Sequence, residues 1–214
     1  MKDIIIVCAG GVGREIAWLI ERINKQTPTW NILGFVDDSE ELWGTEINSY
    51  KVLGGTERLR DHPEAYIVCA VGTSTVRKDI VEKIASILPD AKYATLIDPS
   101  ATVSDYVTIG EGSVICCGSI ITVNIEIGKH VIIGNATTVG HDTVIRDFVT
   151  VHPGTNVAGV VDLGFCSEIG TGTKLIQEMV VGEYSVLGAG SVVVRNIPAR
   201  CTAVGVPAKP IKFF

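Results

Sequence analysis

From residue 97 onward an aliphatic side chain returns at every sixth position: Ile97, Val103, Ile109, Ile115, Ile121, Ile127, Ile133, Val139, Ile145, Val151, Val157, Leu163, Ile169, Leu175, Val181, Leu187 and Val193. The following position is often glycine, as at Gly110, Gly128, Gly140 and Gly170, and the fifth is small or β-branched, as at Ser113, Thr137, Thr155 and Ser185. A period of six fits neither the 3.6 of a helix nor the 2 of a simple strand. It predicts a parallel β-helix in which three hexapeptides close one triangular coil, so that residues 18 apart stack. The aliphatics should fill the interior, with the small fifth positions also pointing inward. Each coil then buries its apolar side chains only against its neighbours, at a rise of about 4.8 Å per coil. Nothing interrupts the register, so a catalytic residue in this segment must sit on a coil.

Before the repeats the pattern changes. Asp3 to Ala9 is a continuous apolar run ending in Gly10-Gly11-Val12-Gly13, and Ile16, Ala17, Leu19, Ile20 and Ile23 then follow at helical spacing. Ile32 to Val36 reads as a second strand ending in Asp37-Asp38, and Ala65 to Val71 as a third, followed by a helix that Thr73 or Ser74 can cap. Strand and helix in alternation predict half of a doubly wound, Rossmann-type α/β sheet, with a ligand at the carboxyl ends of its strands. The glycine loop opening a helix suits a phosphate, because backbone N–H groups and the helix dipole both face the anion. The third glycine of the dinucleotide fingerprint is missing, and fewer than 100 residues do not supply both halves of a dinucleotide domain. A mononucleotide, or the nucleotide end of a nucleotide-linked sugar, fits the size. The alternative is that these glycines only permit a tight strand-to-helix turn.

The chain has 214 residues and a formal net charge of -6. Its length allows two modest domains, which the pattern places at 1–96 and 97–214. The acidic balance argues against a nucleic-acid partner. No apolar run approaches the roughly 18 to 20 residues of a membrane span, and the first residues lack the form of a signal peptide. Cys8, Cys69, Cys116, Cys117, Cys166 and Cys201 show no C-x-x-C spacing and read as thiols of a reducing cytoplasm.

Of four histidines, His62 lies beside Pro63 in a polar loop and the other three fall in the repeats. His141 occupies the third position of its hexapeptide and projects outward near a corner, stacked between Val123 and Gly159. Gly159 leaves room beside the imidazole, and Asp142 is placed to fix its tautomer. A histidine in such a setting suits removal of a proton from an attacking hydroxyl or amine. His152, between Gly134 and Gly170, also has room, and a surface or a substrate-contacting role both stay open for it. His130 shows no such opening. Spacings of 11 and 11 do not bring the three imidazoles to one corner level, so no metal is expected.

Several motifs together resemble the sialic-acid O-acetyltransferase and bacillosamine N-acetyltransferase branch of the hexapeptide acyltransferases. They are Ala9-Gly10-Gly11-Val12-Gly13-Arg14-Glu15, Gly34-Phe35-Val36-Asp37-Asp38, Ile97-Asp98-Pro99-Ser100-Ala101, Val139-Gly140-His141-Asp142, Asn196-Ile197-Pro198 and Val204-Gly205-Val206-Pro207-Ala208-Lys209. The resemblance implies a left-handed β-helix, a homotrimer, and acetyl-CoA lying in the groove between neighbouring prisms. It implies that His141 is the catalytic base and Asp142 its orienting carboxylate. Gly159, Thr171 and Ala189 would run along the pantetheine arm, with Pro207, Ala208 and Lys209 at the adenine end. Gly10, Gly11, Gly13, Asp37 and Asp38 would hold the sugar nucleotide. The chain departs from that family at Val12 and Thr150, where histidines are usual, and His152 is a candidate to replace the second.

The function so implied is acetyl transfer from acetyl-CoA to an amine or hydroxyl of a sugar, and the size of the small domain suits a nucleotide-linked one. One alternative is an O-acetyltransferase acting on serine or another small hydroxyl compound, although such enzymes usually carry a helical domain before the prism. Another, from a different class, is a non-catalytic prism that binds a nucleotide and scaffolds a complex.

Overall fold

The structure is a computed structural model that describes residues 1–214. Its contacts divide into two compact units, one of Met1–Gly72 with Val76–Pro99 and one of Thr73–Thr75 with Ser100–Phe214.

The first unit is built on the strand-helix alternation. Its elements are β1 (Lys2–Val7), α1 (Gly11–Gln26), β2 (Trp30–Val36), β3 (Glu46–Ile47), β4 (Tyr50–Lys51), β5 (Tyr66–Cys69), α2 (Ser74–Ile87) and β6 (Lys92–Tyr93). A parallel sheet runs in the order β2-β1-β5-β6, while β3 and β4 form a short antiparallel hairpin. The continuous apolar run of β1 is explained by its central place, with Ile4, Ile5 and Ile6 wholly buried. Helix α1 buries Ile16, Ala17, Leu19 and Ile20 along one face. Strand β6 and the β3–β4 hairpin are additions to the expected three strands. Two-residue strands carry too little alternation to be read from a sequence.

In the second unit the hexapeptide register holds throughout. Three parallel ladders pair residues 18 apart, for example Thr138 with Asn156, Val144 with Asp162, and Thr150 with Glu168. Every first-position aliphatic from Ile115 to Val193 is at most 4% exposed. The start of the series differs from the expectation: Ile97 is 39% exposed, and Val103 and Ile109 are only partly buried. The first coil lacks a neighbour on one side, which is where a nearest-neighbour stack loses burial.

Three local rules build the coil. Fifth-position hydroxyls such as Ser113, Thr143 and Thr173 are fully buried and donate to the carbonyl 15 residues on, at Gly128, Ala158 and Gly188. That pairing is what permits a polar group inside the prism. Second-position glycines let adjacent coils approach: a Cβ on Gly140 would lie 2.6 Å from the nitrogen of Gly159. Fourth positions turn the corners in the left-handed conformation, at Asn124, Asp142, Val160 and Glu178 as at Gly154, Gly172 and Gly190. Their N–H groups bond to the coil below, as Asp142 does to Val123 and Val160 to His141. The last ladder is closed by Cys201–Val204 and an antiparallel strand, Lys209–Phe213.

Candidate functional site

His141 sits at the corner that follows the Thr138–Val139 strand, one coil above Val123 and one below Gly159. Its Nδ1 is 2.7 Å from Oδ2 of Asp142. Asn124, on the coil below, donates from Nδ2 to the other carboxylate oxygen at 3.2 Å. The bond to His141 first, and that from Asn124 second, hold the Asp142 carboxyl below the usual aspartate value. An ionised Asp142 keeps the imidazole proton on Nδ1, which leaves the Nε2 lone pair free to accept one. The His141 side chain is 60% exposed. The room at Gly159 is used by the ring itself, since a Cβ there would lie 2.6 Å from Nε2.

Thr171 and Ala189 lie at a different corner, the one after the Thr150–Val151 strand, each exposed and one coil apart. The tail continues that column: the Ala208 N–H bonds to the carbonyl of Val192 at 2.8 Å, Pro207 is exposed after a cis Val206–Pro207 bond, and Lys209 opens the last strand. Gly154, Gly172 and Gly190 turn this corner, and nothing lies within 4 Å of a Cβ at any of them. The result is a smooth, open edge, which the 18-residue spacing of those three fourth-position glycines already signals in the sequence. One prism therefore brings His141, Asp142 and Gly159 to one corner and Thr171, Ala189, Pro207 and Ala208 to another.

His152 is half-buried, its Nε2 3.9 Å from Oε2 of Glu168 on the next coil. Its ring is directed at a carboxylate that sequence reasoning missed. His130, for which no opening was expected, is buried beside Gly112, stacked on Phe148 with centroids 5.0 Å apart. Gly112, 18 residues earlier, supplies the space. His62 is partly buried and closes the turn Thr56–Asp61. No group of three or more His, Cys, Asp or Glu side chains is arranged to hold a metal ion, and all six cysteines are free.

In the first unit Gly10 caps α1 without a side-chain bond, and the first intrahelical bond runs from the Arg14 N–H to the Gly10 carbonyl. The N–H groups of Gly11, Val12 and Gly13 precede it and leave the helix end. The loop glycines separate into two kinds. A Cβ on Gly13 would lie 2.1 Å from the Cys8 carbonyl oxygen, whereas Gly10 and Gly11 have nothing within 4 Å. Asp37 ties the loop down: its Oδ2 accepts from the Ala9 N–H at 2.9 Å and its Oδ1 from the Ser39 N–H at 3.0 Å. Asp38 turns elsewhere. Its carboxylate accepts from Thr56 and, at 2.6 Å, from Lys83. Burial works against its charge, but the Lys83 and Thr56 bonds outweigh that and hold it at about 2. Burial, then Asp37 and Asp38, push the Cys8 thiol up to about 11. Trp43 also stands here, 42% exposed, with its indole N–H on the Asp37 carbonyl at 2.7 Å.

With the geometry in place, the comparisons with known proteins give the class. Residues 3–84 match the PglD N-terminal domain. Over 99% of its length the chain superposes on the acetyltransferase domain of PglB from Neisseria gonorrhoeae FA1090, covering all of that chain, with a TM-score of 0.89 and 33% identity. It also superposes on a mutant of perosamine N-acetyltransferase from Caulobacter crescentus, solved with CoA and GDP-perosamine, at a TM-score of 0.90 and 25% identity over 98% of that chain. The UDP-N-acetylbacillosamine N-acetyltransferase of Bacillus subtilis (strain 168) is 37% identical over 117 residues, 54% of this chain and 51% of that protein. The aligned segments span about half the length, or less, of the first curated relatives matched. The chain belongs to the PglD-type branch of the hexapeptide sugar acetyltransferases. No helix is long and apolar enough to cross a membrane.

Proposed function

We propose that the protein transfers the acetyl group of acetyl-CoA to the amino group of a nucleotide-linked sugar, with His141 as general base. The observation that carries this is the 2.7 Å contact of His141 Nδ1 with Asp142, which leaves Nε2 as an exposed acceptor beside Gly159. In the transfer a nitrogen–carbon bond forms at the thioester carbonyl, Nε2 takes a proton from the amine, and the carbon–sulfur bond breaks. The proton leaves with the CoA thiol. A backbone N–H of the next coil, near Gly159, would stabilise the oxyanion in this reading. Nitrogen as the acceptor is supported by the relatives from Bacillus subtilis and Caulobacter crescentus, both N-acetyltransferases. Acetyl-CoA is supported by a structure of the Neisseria domain in complex with it, at 33% identity.

The division of labour is part of this reading. Residues 1–96 hold the nucleotide through Gly10, Gly11 and Asp37, and residues 97–214 carry the transfer in a cytoplasmic enzyme. Gly13 packs against the Cys8 carbonyl and Asp38 is engaged by Thr56 and Lys83, so neither touches the ligand. A thioester reaching His141 while its pantetheine lies along Thr171, Ala189 and Pro207 to Lys209 must span two corners. A second copy placing its open corner beside His141 meets that need, and a closed ring of three would repeat it at each seam.

The test is release of CoA thiol from acetyl-CoA with UDP- and GDP-linked amino sugars, free sialic acid and serine as acceptors. Release with a nucleotide-linked amino sugar alone supports the proposal. Release with serine alone, or with no acceptor in the panel, overturns it.

A further inference from the structure

We infer that Trp43 is the surface on which the base of the nucleotide stacks, and that it recognises a planar base without choosing among bases. The inference rests on the reading of the first unit as the nucleotide site.

The chain has three tryptophans, all in this unit, and their surroundings differ. Trp30 is 8% exposed and meets Tyr66 edge-on. Trp18 is exposed, but the Arg22 guanidinium lies over its ring at 5.0 Å. Trp43 is 42% exposed with no ring or cation against it. What sets Trp43 apart is an exposed ring that is also held in place, which offers a ready face for stacking.

Trp43 is held firmly. Its backbone N–H bonds to the Glu40 carbonyl at 3.1 Å, closing the turn Glu40–Leu42, and its indole N–H bonds to the Asp37 carbonyl at 2.7 Å. The next residue, Gly44, has φ +74 and donates to Val52. A side chain pinned at both ends has little rotamer freedom left to lose when something stacks on it.

Its attachment point also sets its place. The Asp37 residue whose carbonyl fixes the indole is the one whose carboxylate fixes the Ala9 N–H, next to Gly10. Indole and glycine loop are thus joined through a single residue beyond the carboxyl ends of β1 and β2, where open α/β sheets bind ligands. The only polar atom of the ring is already engaged, so what remains to offer is a π face. Stacking on a π face accepts every base.

The experiment titrates UDP, GDP and inorganic pyrophosphate into the full chain and into the Trp43→Ala and Trp43→Phe variants by calorimetry. Thermal melts confirm that the variants fold. Trp43→Ala should weaken UDP and GDP alike by about tenfold or more, while Trp43→Phe stays within about threefold and pyrophosphate affinity is the same in all three. UDP should also quench emission in the wild type by an amount that Trp43→Phe abolishes. Unchanged UDP and GDP affinity in Trp43→Ala overturns the stacking role and leaves the nucleotide site standing. An equal loss for pyrophosphate means a disturbed loop and also overturns it. A wild type that binds none of the three removes the nucleotide site, and this role with it.

Discussion

Nδ1 of His141 and Oδ2 of Asp142 stand 2.7 Å apart although the residues are consecutive. Along an extended strand consecutive side chains point to opposite faces. The corner breaks that alternation, because Asp142 adopts φ +56 and swings its carboxylate round to the imidazole. Replacing Asp142 by Asn keeps the size and removes the charge that selects the tautomer. Turnover should fall by at least about tenfold with the KM for acetyl-CoA little changed, against about a hundredfold or more for His141→Ala. The Asp142 carboxyl lies below the usual 3.8, so it stays ionised down to pH values below that of an ordinary aspartate. The acid limb of kcat/KM measured above pH 4 should therefore not reflect its protonation.

Gly159 is a second handle on the same imidazole. An added Cβ would lie 2.6 Å from Nε2, 2.7 Å from Cε1 and 3.0 Å from Cδ2 of His141, all side-chain atoms at an exposed corner. The ring can swing away, so Gly159→Ala should change stability by less than about 1 kcal/mol while displacing the base. The expected result is a loss of about tenfold or more in kcat with an unchanged melting temperature. Full activity in Gly159→Ala would show that the position of the ring does not matter for the rate.

How much of this is legible in the sequence depends on whether a feature repeats. The six-residue period dictates the prism, and stacking by 18 by itself places Gly159 beside His141. The same arithmetic, applied to glycine at the fourth position, marks the open corner at Gly154, Gly172 and Gly190, and places Gly112 beside His130. What the sequence hides is non-periodic. Nothing in Asp37-Asp38 reveals that one carboxylate ties down the glycine loop while the other turns to Lys83, because both ties come from residues far along the chain. Thr73–Thr75 likewise groups with the repeats although it opens a helix of the preceding segment. Only tertiary contacts decide that.

The Asp38–Lys83 pair predicts a pH dependence. Asp38 titrates at about 2 in the folded protein against an ordinary 3.8, so its contribution is complete above about pH 4 and is lost as pH falls toward 2. The carboxylate is 54% exposed, which limits the effect to about 1 kcal/mol or less. Asp38→Asn should flatten this part of the acid unfolding curve. Lys83→Met should reduce its slope only partly, since Thr56 keeps donating to the same carboxylate. An Asp38→Asn curve that overlays the wild type between pH 4 and 2 would assign the acid sensitivity to other groups.

The glycine loop separates a packing role from the proposed ligand role within four residues. At Gly13 an added Cβ would stand 2.1 Å from a backbone oxygen, that of Cys8, and neither the strand end nor the first turn of α1 can yield without moving the sheet. Gly13→Ala should cost about 3 kcal/mol. Because all three tryptophans lie in the first unit, urea unfolding followed by their emission reads that unit directly. Gly10 and Gly11 have no steric need for glycine, and alanine at the first helical position is a better helix former. Gly10→Ala and Gly11→Ala should therefore keep stability within about 0.5 kcal/mol. Their methyl groups would instead stand in the open space before the helix end, between an arriving phosphate and the N–H groups that receive it. UDP affinity should fall severalfold in both, with no matching shift in the urea midpoint. Wild-type UDP affinity in both would leave these two glycines with neither a packing nor a binding reason, and would move the phosphate elsewhere on the sheet edge.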